Sequence, residues 1–225
     1  MGIGLTWYNY IIFGALLIGT APYLFGFKLD KGYFINLFII FFGTIIEGLG
    51  AYLAYNGINN TLLYNLGFIY FETILFLFYF SVILNRKSYS KFLWTSIFTL
   101  SIWVVINSIF FQNINTVFQS YAYVLSAFLV IISCFWFFYQ IIFRDKYKED
   151  RLIFIPQFWA VSFILFFYSS SFLYFTSMHL LIKLDYSAVS ILGNILLILS
   201  VLMYCMMGLA YYLPYLEEKF YYRQK

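Results

Sequence analysis

Along the chain, long apolar runs alternate with short polar interruptions. Seven runs are long enough to cross a bilayer as helices, for which roughly 20 apolar residues suffice. They cover about 5–27, 33–55, 62–84, 92–111, 117–143, 153–178 and 187–213. The interruptions are of two kinds, taken in turn. One kind is basic: Lys28, Asp30 and Lys31; Arg86, Lys87 and Lys91; the 144–151 stretch; and the tail after Leu213. The other is nearly uncharged: Asn56-Gly57-Ile58-Asn59-Asn60-Thr61, Gln112-Asn113-Ile114-Asn115-Thr116, and a short loop with His179, Lys183 and Asp185. The pattern predicts an all-α, seven-span transmembrane helical bundle. Residues 1–213 form its single domain, and 214–225 a short cytoplasmic tail.

The spans are not uniformly apolar. In the second, Gly43, Glu47 and Ala51 recur every four residues with Gly50 and Ala54 alongside; small residues at that spacing let helices approach closely. In the third, Asn65, Glu72 and Tyr79 recur every seven, which on an α-helix makes one polar stripe. Gln119, Ser126, Ser133 and Gln140 repeat the arrangement in the fifth. Shorter sets occur in the fourth (Ser96, Trp103, Asn107), sixth (Ser162, Ser169, Thr176) and seventh (Ser190, Asn194, Tyr204). Stripes on several helices predict an interior lined by hydrogen-bonding groups; the plainer expectation is that Ser, Thr and Asn glue helices together, at ~0.6 kcal/mol per contact.

Glu47 and Glu72 stand apart from that polar set. Counted from Ile58 in the turn, they lie eleven positions back and fourteen on. At ~1.5 Å per residue the carboxyls differ in depth by only about 5 Å and sit ~15–20 Å below the turn. That is near the middle of a ~30 Å hydrocarbon core, where an ionisable group is costly unless paired, protonated or hydrated. The spans hold no Lys, Arg or His to pair with, so the compensating charge must come from a proton, a cation or a ligand. The expected pocket opens outward and is lined by Glu47, Glu72, Asn65, Tyr64, Asn107, Gln119 and Asn194. It suits a sensor or receptor-like module that binds a small ligand or cation and signals to a cytoplasmic or membrane partner through the basic loops and tail. A proton- or cation-coupled solute transporter would use the same two glutamates. An intramembrane enzyme would have only this carboxylate pair as acid and base.

Other chemistries lack their residues. The lone histidine, His179, cannot build a multi-histidine zinc site or a Ser-His-Asp set. The seventh span has no lysine for a retinal Schiff base, and no Gly-rich phosphate loop occurs. No cofactor is therefore expected beyond a proton or cation at Glu47 and Glu72. Pro156-Gln157 matches the dipeptide of PQ-loop transporters, but no second copy stands at the matching point of the first half.

Composition and charge add orientation. With 64% hydrophobic and 10% charged residues, the chain cannot cover a soluble surface. Its partner is the lipid bilayer. The net charge of +4 follows topology and forms no nucleic-acid patch. Lys28, Lys31, Arg86, Lys87, Lys91, Arg144, Lys146, Lys148, Arg151, Lys219, Arg223 and Lys225 fall on one side and Lys183 alone on the other. By the positive-inside rule the N-terminus is outside and the C-terminus inside. The first span lacks a basic leader and a cleavage site, and reads as a true span. The Met1-Gly2 start fits an acylation pattern, which needs a cytosolic N-terminus that the charges argue against. Cys134 and Cys205 read as buried small hydrophobes.

The run Asn59-Asn60-Thr61-Leu62-Leu63-Tyr64-Asn65-Leu66, continued by Tyr70-Phe71-Glu72, resembles a pattern in small bacterial seven-helix membrane proteins of no assigned function. It spans under a tenth of the chain. The resemblance implies a multipass protein of the cytoplasmic (inner) membrane of a bacterium.

Overall fold

The computed structural model describes residues 5–27, 29–144, 151–184 and 186–221, with side chains except at 179–186, 220 and 221. The acylation-like start, Lys28, Lys146, Lys148, Arg223 and Lys225 lie outside the described residues, as do the side chains of His179, Lys183 and Asp185. Among the described residues the fold is all helical. Seven long helices succeed one another: α1 (Trp7–Leu24), α2 (Lys31–Tyr55), α3 (Thr61–Leu84), α4 (Lys87–Phe110), α5 (Ser120–Phe143), α6 (Pro156–Leu184) and α7 (Tyr186–Leu209). A 3-10 turn at Ala210–Tyr212 carries α7 into α8 (Leu213–Tyr221).

Local chemistry sets several boundaries. Asp30 caps α2 by accepting from the Tyr33 amide at 2.8 Å. Gly57 at φ 69° turns the chain between α2 and α3, and Asn85 at φ 47° ends α3 in the left-handed conformation that Asn tolerates. Pro156 opens α6, where its missing N–H costs nothing. Three starts differ from the hydropathy reading by three residues or more; α6 begins at Pro156 rather than 153. α4 begins at Lys87 rather than 92, because Tyr89 is buried within its first turns and hydrogen-bonds Ser133 at 2.8 Å. α5 begins at Ser120 rather than 117, because Asn65 of α3 engages the carbonyl of Val117 and the amide of Gln119.

Six of the seven long helices are long and apolar enough to cross a membrane; α1, with Tyr8, Asn9, Tyr10 and Pro22 among its 18 residues, is not among them. The helices close into a ring in the order α1, α2, α3, α5, α6, α7 and back to α1, while α4 lies outside against α3 and α5. The α1–α7 seam is a close backbone approach: a Cβ on Gly208 would come within 2.8 Å of the Ala15 carbonyl oxygen. Tyr33 donates to the Gly19 carbonyl at 2.7 Å, and Asn36 to the Met207 carbonyl at 2.8 Å, tying α2 to α1 and α7.

The polar stripes are used chiefly as glue. Ser126 donates to the Ile69 carbonyl, Ser133 bonds Tyr89, and Gln119 is fully occupied near the α4–α5 loop. The seven-residue stripe of α3 does not survive as one face. Asn65–Glu72 is a π-helical segment, whose i→i+5 bonding rotates the later residues away from the positions an α-helix would give them. Asn65 accordingly meets the α4–α5 loop, whereas Glu72 meets α7.

Candidate functional site

One cavity, of about 350 Å³, brings Glu47 and Glu72 together. It is walled by the start of α1 (Tyr8), the late part of α2 (Glu47), the π segment of α3 (Phe68, Glu72), the end of the α4–α5 loop (Phe118) and the start of α5 (Tyr123). The late part of α6 (Ser171, Tyr174, Phe175) and the middle of α7 (Ser200, Tyr204) complete it. Most of these belong to the half of the bundle that holds the α2–α3 turn, while Glu72 and Tyr204 lie nearer its middle. Beneath it the core is mainly apolar, with Phe76, Leu77, Phe80, Val130, Phe137 and Ile164 all buried, and holds a few polar side chains such as Thr73, Ser133 and Gln140.

Tyrosine hydroxyls, not cations, attend the carboxyls. Tyr8 and Tyr64 both donate to Glu47 Oε2, the latter at 3.3 Å. Tyr204 donates to Glu72 Oε1. Glu72 is only 4% exposed, while Glu47 is partly exposed. Among the described residues, the lining contains no Lys, Arg or His.

Glycines of α2 make this arrangement fit. Gly43, Glu47 and Gly50 fall at i, i+4 and i+7, one face of the helix. The Tyr204 ring end lies over Gly43, where a Cβ would stand 2.8 Å from its hydroxyl oxygen. The Tyr64 hydroxyl lies over Gly50 in the same way. These small residues are notches that seat two tyrosines on either side of Glu47. Gly67 plays the related part on α3, with Ile46 of α2 packed onto it.

The same cavity has an aromatic wall. Phe118 stacks on Phe175 with centroids 5.1 Å apart, and Tyr123 meets Phe175 at 4.6 Å. Tyr174 is edge-on to Phe175 at 5.0 Å. Tyr123 is fixed by donating to Ser171 Oγ at 2.9 Å.

Of the residues expected to line the pocket, Glu47 and Glu72 do so, and Tyr64 touches it through Glu47. Asn65, Asn107 and Gln119 are instead buried in a separate network at the α4–α5 loop. Asn65 donates to the carbonyls of Ile114 (2.7 Å) and Val117 (2.9 Å) and accepts from the Gln119 amide (3.0 Å). Gln119 donates to Ser108 and to the Gln112 carbonyl, both at 2.8 Å, and accepts from Tyr70. Asn107 contacts Gln112 at 3.4 Å. Asn194 is exposed on α7 and lines no part of the cavity. The reason is common to all four: a polar residue in a span can satisfy loop backbone or face outward as readily as it can face a pocket.

The reading by residue type passed over Tyr8, Ser171, Ser200 and the aromatic wall, and named Tyr204 only as a polar position. In a chain with 23 Tyr and 30 Phe no single ring stands out. The one usable signal was Gly43 and Gly50 flanking Glu47, which marks room for large side chains beside the acid.

At the opposite end, Asp30, Lys31, Arg86, Arg144 and Gln157 surround a wide groove of about 770 Å³, with Gln157 donating to Asp30 at 2.6 Å. Comparison with family models, curated proteins and solved structures finds no match.

Proposed function

We propose that this chain is a seven-span protein of the bacterial cytoplasmic membrane, N-terminus outside, that acts as a ligand-binding sensor or receptor-like module. The observation that carries the reading is the shared cavity: two acids in apolar spans whose hydrogen bonds, among the described residues, come from tyrosines. A packed bundle has no use for such a pair, because glutamine would bond as well without the cost of a buried charge. The cavity lies in the half of the bundle away from the basic groove, so the positive-inside rule would open it outward. Tyr204 supplies a route for the signal. It sits on α7, which continues into α8 at the basic end, and a ligand that takes over Glu72 releases its hydroxyl. The occupant of the basic end would be a cytoplasmic or membrane partner.

Transport by the same acids is the weaker reading, because Phe76, Leu77, Phe80 and Phe137 are packed in the core below the cavity and outnumber the buried polar groups there, Thr73, Ser133 and Gln140. Accessibility tests the proposal. Ser200→Cys, in a chain with Cys134 and Cys205 replaced by alanine, should react with a membrane-impermeant thiol reagent added outside intact cells. Labelling only from the cytoplasmic side, or none in a folded protein, would remove the outward-facing receptor. Proton or solute flux through proteoliposomes would restore the transporter.

A further inference from the structure

We propose that the cavity takes an organic ammonium ion with an apolar, aromatic-sized body; this rests on the reading of the cavity as a ligand site and names the class of ligand. Charge fixes the sign first. Glu47 and Glu72 are the acidic side chains of the lining, with no cationic side chain among the described residues beside them, so a cation meets two acids and an anion meets no opposite charge.

Coordination then separates metal from organic cation. Calcium takes 6–8 oxygen ligands, and magnesium holds near-ideal octahedral geometry. Among the described residues no group of three or more His, Cys, Asp and Glu comes together. Both carboxyls, moreover, already accept tyrosine O–H groups on one oxygen each. What each has left is an oxygen that can face a cation, through an N–H bond from a primary ammonium or through charge alone to a quaternary one.

The rest of the wall is the second half of the argument. Phe118, Tyr123 and Phe175 form a contiguous aromatic surface, with Tyr174 edge-on beside it. An ammonium within about 6 Å of such ring faces is stabilised by the ring quadrupole, most of all where water is excluded. The same rings accept an apolar body. At about 30 Å³ for a water-sized group, the cavity of about 350 Å³ has room for roughly a dozen non-hydrogen atoms. A phenyl or indole ring on a short alkylamine chain is of that size. Its nitrogen would lie between Glu47 and Glu72, and its ring against Phe175.

The test is binding to the full chain in nanodiscs, read by saturation-transfer NMR and competition. The probes are phenethylammonium and benzyltrimethylammonium, the neutral 2-phenylethanol, the anionic 3-phenylpropionate, and calcium chloride. The two cations should bind at least tenfold more tightly than the alcohol, and the anion not at all. Glu47→Gln and Glu72→Gln should each weaken cation binding at least tenfold while leaving the alcohol unchanged. Phe175→Leu, which keeps both acids, should weaken benzyltrimethylammonium several-fold and so carries the test if a glutamine variant does not fold. Equal binding of alcohol and amine, indifferent to both glutamine variants, would overturn the ammonium class while leaving a ligand cavity in place. Calcium displacing phenethylammonium from that site at micromolar levels would overturn it in favour of a metal. No probe binding at all, with Ser200→Phe changing nothing, would overturn both this inference and the ligand-site reading beneath it.

Discussion

Removing one oxygen atom from Tyr204 isolates the interaction on which the cavity floor depends. Tyr204→Phe keeps the ring, which lies over Gly43, and so opens no hole. What it deletes is the O–H donated to Glu72, a carboxyl that is 4% exposed. Hydrogen bonds between helices in membranes average about 0.6 kcal/mol in double-mutant cycles, with a maximum near 1.7. A buried carboxyl left without its donor costs more than the average, about 1–3 kcal/mol by the general cost of an unmade bond. The expected coupling between Tyr204→Phe and Glu72→Leu, which removes the acceptor, is therefore about 1–2 kcal/mol, at the upper end of the membrane range. The assay is reversible unfolding in mixed micelles of the wild type, both single variants and the double variant. Tyr204→Ala belongs in the same series and should cost about 3–5 kcal/mol, because it also empties the space of the ring. Strictly additive single effects, or a Tyr204→Phe variant as stable as wild type, would refute the claim that this hydroxyl holds Glu72 in place.

Other substitutions test the packing that builds the site. Gly43→Ala places a Cβ 2.8 Å from the Tyr204 hydroxyl oxygen and 3.0 Å from its ring carbon Cζ; it should cost about 1–3 kcal/mol of stability, and combining it with Tyr204→Leu should recover part of that in the same unfolding assay. Gly208→Ala meets the Ala15 carbonyl at 2.8 Å, which no side-chain rotation can relieve, whereas Gly14→Ala meets nothing within 4 Å. The first should lower the melting temperature and loosen the α1–α7 seam; the second should leave it unchanged or raise it. Asn65→Ala removes three hydrogen bonds to the 114–119 segment, and amide exchange there should speed at least tenfold with little change in α6 and α7.

Much of the architecture was legible because a bilayer imposes a length on every apolar run. Seven runs became seven long helices, six of them long and apolar enough to cross a membrane, and the turn about Gly57 fell where its chemistry placed it. The depth arithmetic for Glu47 and Glu72 also translates into a shared cavity, since depth along a helix comes from rise alone. Rotation about the helix axis was not legible in α3. The π segment at Asn65–Glu72 leaves no composition signature, and it separates the faces of two residues that an α-helix would align. The partners of the acids were hidden for a different reason. Tyr8 and Tyr204 come from α1 and α7, brought to α2 and α3 only by closure of the ring. Asn194 illustrates the converse: a polar residue in an apolar run can face outward, and residue type alone does not say which way it faces.

The central claim is that the two acids face one space that something positively charged comes to fill. A high-resolution map of the full chain in nanodiscs tests it most directly, with and without phenethylammonium. Glu47 and Glu72 should line one cavity, attended by Tyr8 and Tyr204, with added density between the carboxyls and Phe175 when the amine is present. Carboxyls turned to separate faces, with the space between them filled by protein side chains in both maps, would contradict it.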